Sequence, residues 1–176
     1  MQIEARKNPN KRLEDAMKAK RGEGIVIKGI TIDGTVATIP AGTTIPVMLM
    51  TPLNSSVNRQ GQVFLTKANK HLVTKDCYIV IAQSSTINGQ ITSVTQGKLF
   101  VRTGKMGLET MFISTPIEQT ASFPGCINTD QQRNWFERII RAIIKGGKVN
   151  LKAGKVVKIK LEKPIKVDLT SGWIIE

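Results

Sequence analysis

Hydrophobic and polar residues alternate over much of the chain, and one alternating pattern occurs twice. Residues 41–53 read AGTTIPVMLMTPL and residues 153–165 read AGKVVKIKLEKPI, so each residue of the second copy lies 112 positions after its counterpart (153 − 41). The shared apolar positions are Ile45, Val47 and Leu49 in the first copy and Val157, Ile159 and Leu161 in the second. Since strand side chains point alternately to opposite faces, each copy predicts a strand with one apolar face. We predict matching strands that lie side by side at the start and end of one barrel or sandwich; chance recurrence of common strand residues is the alternative.

Further alternating segments predict the rest of a sheet. Strands are expected at residues 25–32, 35–39, 61–68, 77–82, 86–94, 99–102 and 111–114. Asp33-Gly34 is a strong hairpin signal, and Thr103 to Gly107 resembles a second hairpin turn. Residues 116–129 contain Pro116 and Pro124-Gly125 among polar residues, and this composition predicts a surface loop.

The N-terminal residues differ in composition from the rest of the chain. Residues 1–23 are of mixed charge and nearly free of large apolar side chains, so we interpret them as a basic arm or linker. Residues 24–176 form the predicted β-barrel-like domain.

The period changes near Asp130. Six apolar residues come after it at helical spacing: Trp135, Phe136, Ile139, Ile140, Ile143 and Ile144. The pattern predicts one amphipathic helix over about residues 130–145, capped at Thr129 or Asp130 and ended by Gly146-Gly147. The predicted fold is therefore mainly β, a single β-barrel or sandwich with one amphipathic α-helix packed on it. A helix lying on a membrane, or in a groove of a neighbour, is the other interpretation.

Two groups of apolar residues are candidates for contacts with a protein partner. Trp135, Phe136, Ile139 and Ile143 qualify if the helix faces outward. Trp173 and Ile174 form an apolar tip near the C-terminus.

A formal net charge of +13 permits nucleic acid, anionic lipid or an acidic protein as a partner, or a solubilising surface. The basic-surface candidates are Lys148, Lys152, Lys158 and Lys160. Lys158 and Lys160 alternate with Val157 and Ile159 and so belong to the opposite face of that strand. The lysines are not interleaved with stacking aromatics, which favours a solvated face or a protected edge over a nucleic-acid surface.

The chain carries no recognisable catalytic constellation. His71 is the sole histidine and the 13 acidic residues are scattered, so neither a histidine-based nucleophile nor a carboxylate pair is indicated. Cys77 and Cys126 lack metal-ligand spacing and are either free or joined in one disulfide. We therefore expect a non-enzyme without cofactor or metal.

No apolar run approaches the roughly 20 residues of a membrane-spanning helix, and residues 1–24 do not resemble a signal peptide. If Met1 is the native start, the expected location is cytoplasmic.

Residues 40–104 resemble a known family. Residues 40–55, PAGTTIPVMLMTPLNS, are similar to the opening barrel strand in the outer-membrane core scaffold of type IV secretion and conjugation machines. Residues 80–90 and 96–102 resemble the later turn and strand of that domain, although Ala82 and Ser84 stand where the family has Pro and Gly. The family's long apolar two-helix insertion has no counterpart in the sequence.

The resemblance implies a periplasmic or cell-envelope β-barrel that assembles into rings and has no catalytic residue. The expected function is thus a structural module of an envelope or secretion-apparatus-like complex that binds protein and self-associates. A basic β-barrel module that binds nucleic acid is the alternative.

Overall fold

A computed structural model describes residues 13, 16–96, 104–129 and 148–175. These residues form β-strands joined by short turns. In chain order the strands are β1 (Gly24–Val26), β2 (Thr31–Asp33), β3 (Val36–Ile39), β4 (Thr44–Leu49), β5 (Leu53–Asn54), β6 (Val63–Lys67), β7 (His71–Val73), β8 (Ile79–Ile81), β9 (Thr86–Thr95), β10 (Lys105–Ser114), β11 (Thr120–Asn128), β12 (Asn150–Leu151), β13 (Val156–Leu161), β14 (Ile165–Asp168) and β15 (Ile174–Ile175).

Six of these strands close into a barrel in the order β10-β11-β13-β4-β6-β9, with β9 pairing again with β10. Smaller sheets surround it: β1-β7-β8, β15-β14-β3-β2 and the pair β12-β5. The prediction of a mainly β fold built on a barrel is therefore confirmed.

The two copies of the repeated pattern pair directly. Strand β4 is antiparallel to β13, with Ile45 opposite Ile159 and Val47 opposite Val157. All six shared apolar side chains of the two copies are at most 1% exposed. The prediction that distant segments lie side by side in the barrel wall is confirmed.

An approximate two-fold axis relates the backbone hydrogen bonds at the two ends of this strand pair. The axis passes between Pro46 and Lys158, which face each other. Gly42 N donates to Leu161 O at 2.8 Å, and its counterpart Gly154 N donates to Leu49 O at 2.8 Å. Both glycines have φ of 82°, a left-handed conformation that glycine adopts without strain. Each Ala-Gly turn therefore precedes one strand of the pair and hydrogen-bonds to the end of the other strand.

The same axis relates the flanking strands. Ile39 of β3 faces Ile165 of β14, and 112 residues along, Leu151 of β12 faces Leu53 of β5. All four side chains are buried, so the repeated pattern organises the strands on both sides of the central pair.

Aromatic rings and glycines fill the barrel interior together. Phe64 and Phe123 are among the largest fully buried side chains. A Cβ on Gly89 would overlap the Phe64 ring and stand 2.5 Å from Glu109 O. On Gly125 a Cβ would be 2.7 Å from the Ile159 side chain. Glycine at these positions lets a large side chain approach the neighbouring strand closely.

The prediction of a loop over residues 116–129 is wrong for most of its length, because Thr120–Asn128 is the barrel strand β11. Its inward-facing residues are Ala121, Phe123, Gly125 and Ile127. Because two of these four side chains are small, the apolar alternation is weak in the sequence. Pro124 lies where the register between β10 and β11 shifts, at a β-bulge. The ladder does not require a backbone N–H donor at this position, so proline is compatible with the strand. The Thr110 hydroxyl donates to Phe123 O at 2.8 Å across this bulge.

Two shorter predictions also need correction. The expected strand 25–32 is interrupted at Gly29, whose φ of 81° turns the chain between β1 and β2. Residues 105–107, expected in a hairpin turn, belong to β10. The Asp33-Gly34 hairpin is present between β2 and β3.

The predicted helix over residues 130–145 and the predicted strand 99–102 lie outside the described residues. The division into an arm (1–23) and a domain (24–176) stays a prediction. Ala16, on the arm side of that boundary, is buried, and Lys18 forms an antiparallel bridge with Tyr78.

Candidate functional site

The predicted contact residues Trp173 and Ile174 lie at the end of the four-stranded sheet. Ile174 begins β15, faces Val167 of β14 and is buried. Trp173 precedes it and is 53% exposed, and Ile175 comes next at 43%. The alternation of β15 therefore buries Ile174 and leaves an aromatic and an aliphatic side chain in solvent.

A hydrogen-bonded turn holds Trp173 in place. Asp168 N donates to Trp173 O at 2.8 Å, and the Asp168 carboxylate accepts from Thr170 N at 3.0 Å and from the hydroxyls of Thr170 and Ser171 at 2.8 Å each. Partial burial raises the pKa of this carboxyl, but hydrogen bonds from Thr170, Ser171 and Thr35 outweigh burial and lower the pKa below 3.8. The ionised carboxylate thus holds the β14–β15 turn together.

An apolar groove lies beside this turn, and we call it the C-terminal groove. It encloses about 150 Å³ and is lined by Met17, Ile79, Val80, Ile81, Ala82, Thr115, Pro116, Ile117, Gly172 and Ile174. Met17 and Ile117 are themselves 41% and 43% exposed. A Cβ on Gly172 would be 3.0 Å from the Met17 methyl, so glycine brings the turn against the groove wall.

Gln119 holds β15 in place beside the groove by binding its backbone. Its side-chain nitrogen donates to Ile174 O at 2.8 Å, and its side-chain oxygen accepts from Ile174 N at 2.8 Å. The amide therefore occupies the edge of β15 as a further strand would. Sequence reasoning missed this residue, because a single glutamine 55 positions away carries no local signal.

The four basic-surface candidates are all exposed. Lys158 and Lys160 lie on the outer face of β13, opposite Pro46 and Thr44 of β4. Lys148 and Lys152 flank β12. The structure therefore brings Lys158 and Lys160 together on the barrel exterior, with the other two at the preceding strand.

The histidine and the two cysteines, which are the residues most able to act in catalysis or bind a metal, do not form a reactive group with one another. His71 begins β7, and its Nδ1 accepts a hydrogen bond from Gln83 N at 3.0 Å. Cys77 and Cys126 are both free thiols. Among the described residues, no three His, Cys, Asp or Glu side chains are grouped so that they could hold a metal ion.

Within the described part of the chain, none of the helices has both the length and the hydropathy needed to cross a membrane. The remaining contact candidates, Trp135, Phe136, Ile139 and Ile143, lie outside the described residues, so their role stays a prediction.

Comparison with known proteins gives a structural likeness but no family. No family model matches the chain, and no curated protein has significant sequence similarity to it. Among solved structures it is similar to ComB10 of the Com type IV secretion system of Helicobacter pylori, at 15% identity and a TM-score of 0.49, over 73% of this chain and 89% of that one. The fold itself is defined by the strand pairing of the closed barrel.

Proposed function

We propose that the chain is a non-enzymatic structural module of a bacterial cell-envelope or secretion-apparatus-like complex, where it binds copies of itself. The observation that carries this proposal is the C-terminal groove, which is apolar and open and has the exposed Trp173 next in the chain to its lining residues Gly172 and Ile174. Exposed apolar surface with an aromatic residue at its border is typical of a protein contact site.

The occupant we propose for the groove is a second copy of the chain. Trp173 precedes β15 and Ile175 ends it, and the alternation of the strand exposes both side chains on the face opposite Ile174, which lines the groove. Each copy therefore offers a receptor groove on one face and exposed apolar side chains on another. A contact between these two different surfaces of neighbouring copies is head-to-tail, and such a contact generates rings when its rotation closes. Ring assembly in the periplasm or envelope is also what the resemblance of residues 40–104 implies.

Sedimentation velocity over a range of concentrations tests the proposal. The average mass of the wild-type chain should rise with concentration, and Trp173→Ser should weaken self-association by about tenfold or more, as loss of an interface tryptophan does. Val57→Ser is the matched control, because Val57 is 69% exposed but lies in the turn after β5.

A wild-type chain that stays monomeric at every concentration would refute self-association. Equal weakening by Trp173→Ser and Val57→Ser would refute the assignment to the groove.

A further inference from the structure

A second apolar surface lies on the outside of the barrel, away from the C-terminal groove. Val156 of β13 faces Met48 of β4, and Met50 N donates to Leu65 O of β6 at 2.8 Å. Val63 is two residues from Leu65 and therefore lies on the same face. We call these five residues the outer apolar strip: Met48, Met50, Val63, Leu65 and Val156.

The strip is accessible to solvent although its residues are hydrophobic. Val63 is 57% exposed, Val156 53%, Met50 46% and Leu65 39%. Neighbouring strands join these side chains into one patch, whereas scattered single apolar residues are ordinary on a protein surface.

Lysines border the strip. Lys67 faces Met48 across the β4–β6 pair, and Lys158 and Lys160 continue the outer face of β13 beyond Val156. Strands β4, β6 and β13 contain no acidic residue. The lysines therefore lie at one end of the apolar strip, so the face has an apolar part and an adjoining positively charged part.

The composition of this face distinguishes between possible partners. Lysine is depleted in protein–protein interfaces, whereas arginine, tyrosine and tryptophan supply most of their binding energy, and the three strands contain none of those three. Two copies meeting through the same face would place lysines against lysines. Single-stranded nucleic acid needs stacking aromatics, which are absent from the strip.

An anionic lipid surface matches both parts of the face. Aliphatic side chains can enter the boundary between head groups and acyl chains, while lysine stems extend along apolar surface and keep their ammonium groups at the phosphates. From this complementarity we infer that the outer face of β4, β6 and β13 docks peripherally on an anionic lipid bilayer. This inference does not depend on self-association through the C-terminal groove.

Vesicle flotation of the full chain tests the inference. Vesicles of equal parts phosphatidylcholine and phosphatidylglycerol should bind the chain, whereas pure phosphatidylcholine should not, and binding should fall as salt is added. The double variants Val63→Ser/Leu65→Ser and Lys158→Gln/Lys160→Gln should each weaken binding by about tenfold or more.

Two matched controls separate this face from general charge and hydrophobicity. Lys28→Gln/Lys75→Gln removes the same charge from turns at β1 and β7, and Val26→Ser/Ile32→Ser removes exposed apolar side chains from β1 and β2. Both controls should keep wild-type binding. Hydrogen exchange of the wild-type chain with anionic vesicles should show new protection in β4, β6 and β13, which tests the face without any substitution.

Several results would overturn the inference. These are absence of binding to anionic vesicles, equal losses in the control variants, and protection confined to other strands. Binding to DNA that is lost in the lysine variant, without any binding to vesicles, would assign the face to nucleic acid instead.

Discussion

The two copies of the repeated pattern agree on the inside of the barrel and differ on the outside. Inward, both present three buried aliphatic residues in the same register. Outward, Thr44, Pro46 and Met48 of the first copy correspond to Val156, Lys158 and Lys160 of the second. Packing of the interior restricts the inward positions to apolar residues of fitting volume, whereas the outward positions are free to carry charge and binding surfaces. Inner and outer positions of the same strands should therefore respond very differently to substitution.

The largest expected effect is at the inner positions. Ile45 and Ile159 face each other and are fully buried, so Ile45→Ala and Ile159→Ala should each lower the free energy of unfolding by about 2–5 kcal/mol. Lys158→Ala, on the outer face beside Ile159, should change it by less than about 0.5 kcal/mol. Urea unfolding measures the free energy of unfolding of all three variants. A loss for Lys158→Ala close to that for Ile159→Ala would contradict the difference between inner and outer positions.

A smaller effect is expected at the two Ala-Gly turns. Gly42 and Gly154 share a φ of 82°, and a Cβ at either would meet no atom within 4 Å. The cost of alanine is therefore backbone strain, about 1 kcal/mol at each site. Asparagine, which tolerates this conformation better, should cost less. Clearly unequal costs of Gly42→Ala and Gly154→Ala in urea unfolding would show that the two turns are not equivalent.

The smallest effect depends on pH and arises just beyond the second copy. At the same offset of 112 residues, the counterpart of Asp168 is Ser56, which cannot ionise in this range. Because the folded-state pKa of Asp168 is lowered below 3.8, its carboxylate stabilises the fold above pH 3.8, and this contribution is lost as the pH falls through the lowered value. The wild-type chain should therefore exceed Asp168→Asn in stability near neutral pH, and the difference should shrink below pH 3.8.

Thermal unfolding of both proteins at neutral and at acidic pH measures this difference. A stability difference that does not change with pH would contradict a role for the ionised carboxylate. Ser56→Ala is the control at the equivalent position, and its effect should be independent of pH.

Sequence reasoning located the barrel because the repeated strands carry strong aliphatic alternation on one face. It missed β11 because Ala121 and Gly125 are too small to mark an apolar face, and because Pro124 is compatible with a strand only at a bulge that the neighbouring strand creates. Of the residues in or beside the C-terminal groove, the sequence singled out only Trp173 and Ile174, as contact candidates and not as part of a groove. Met17, Ile79 and Ile117 reach it from distant parts of the chain, and no local pattern marks such a meeting.

Pairing of β4 with β13 has a consequence for synthesis of the chain. The barrel wall cannot close until residue 161 has left the ribosome, although β4 is made more than 100 residues earlier. During that interval β4 has an unpaired edge, which is the kind of strand that joins other unfinished chains. Contacts this distant in sequence also slow folding. The nascent chain is therefore prone to aggregate until β13, the last barrel strand to be synthesised, pairs with β4.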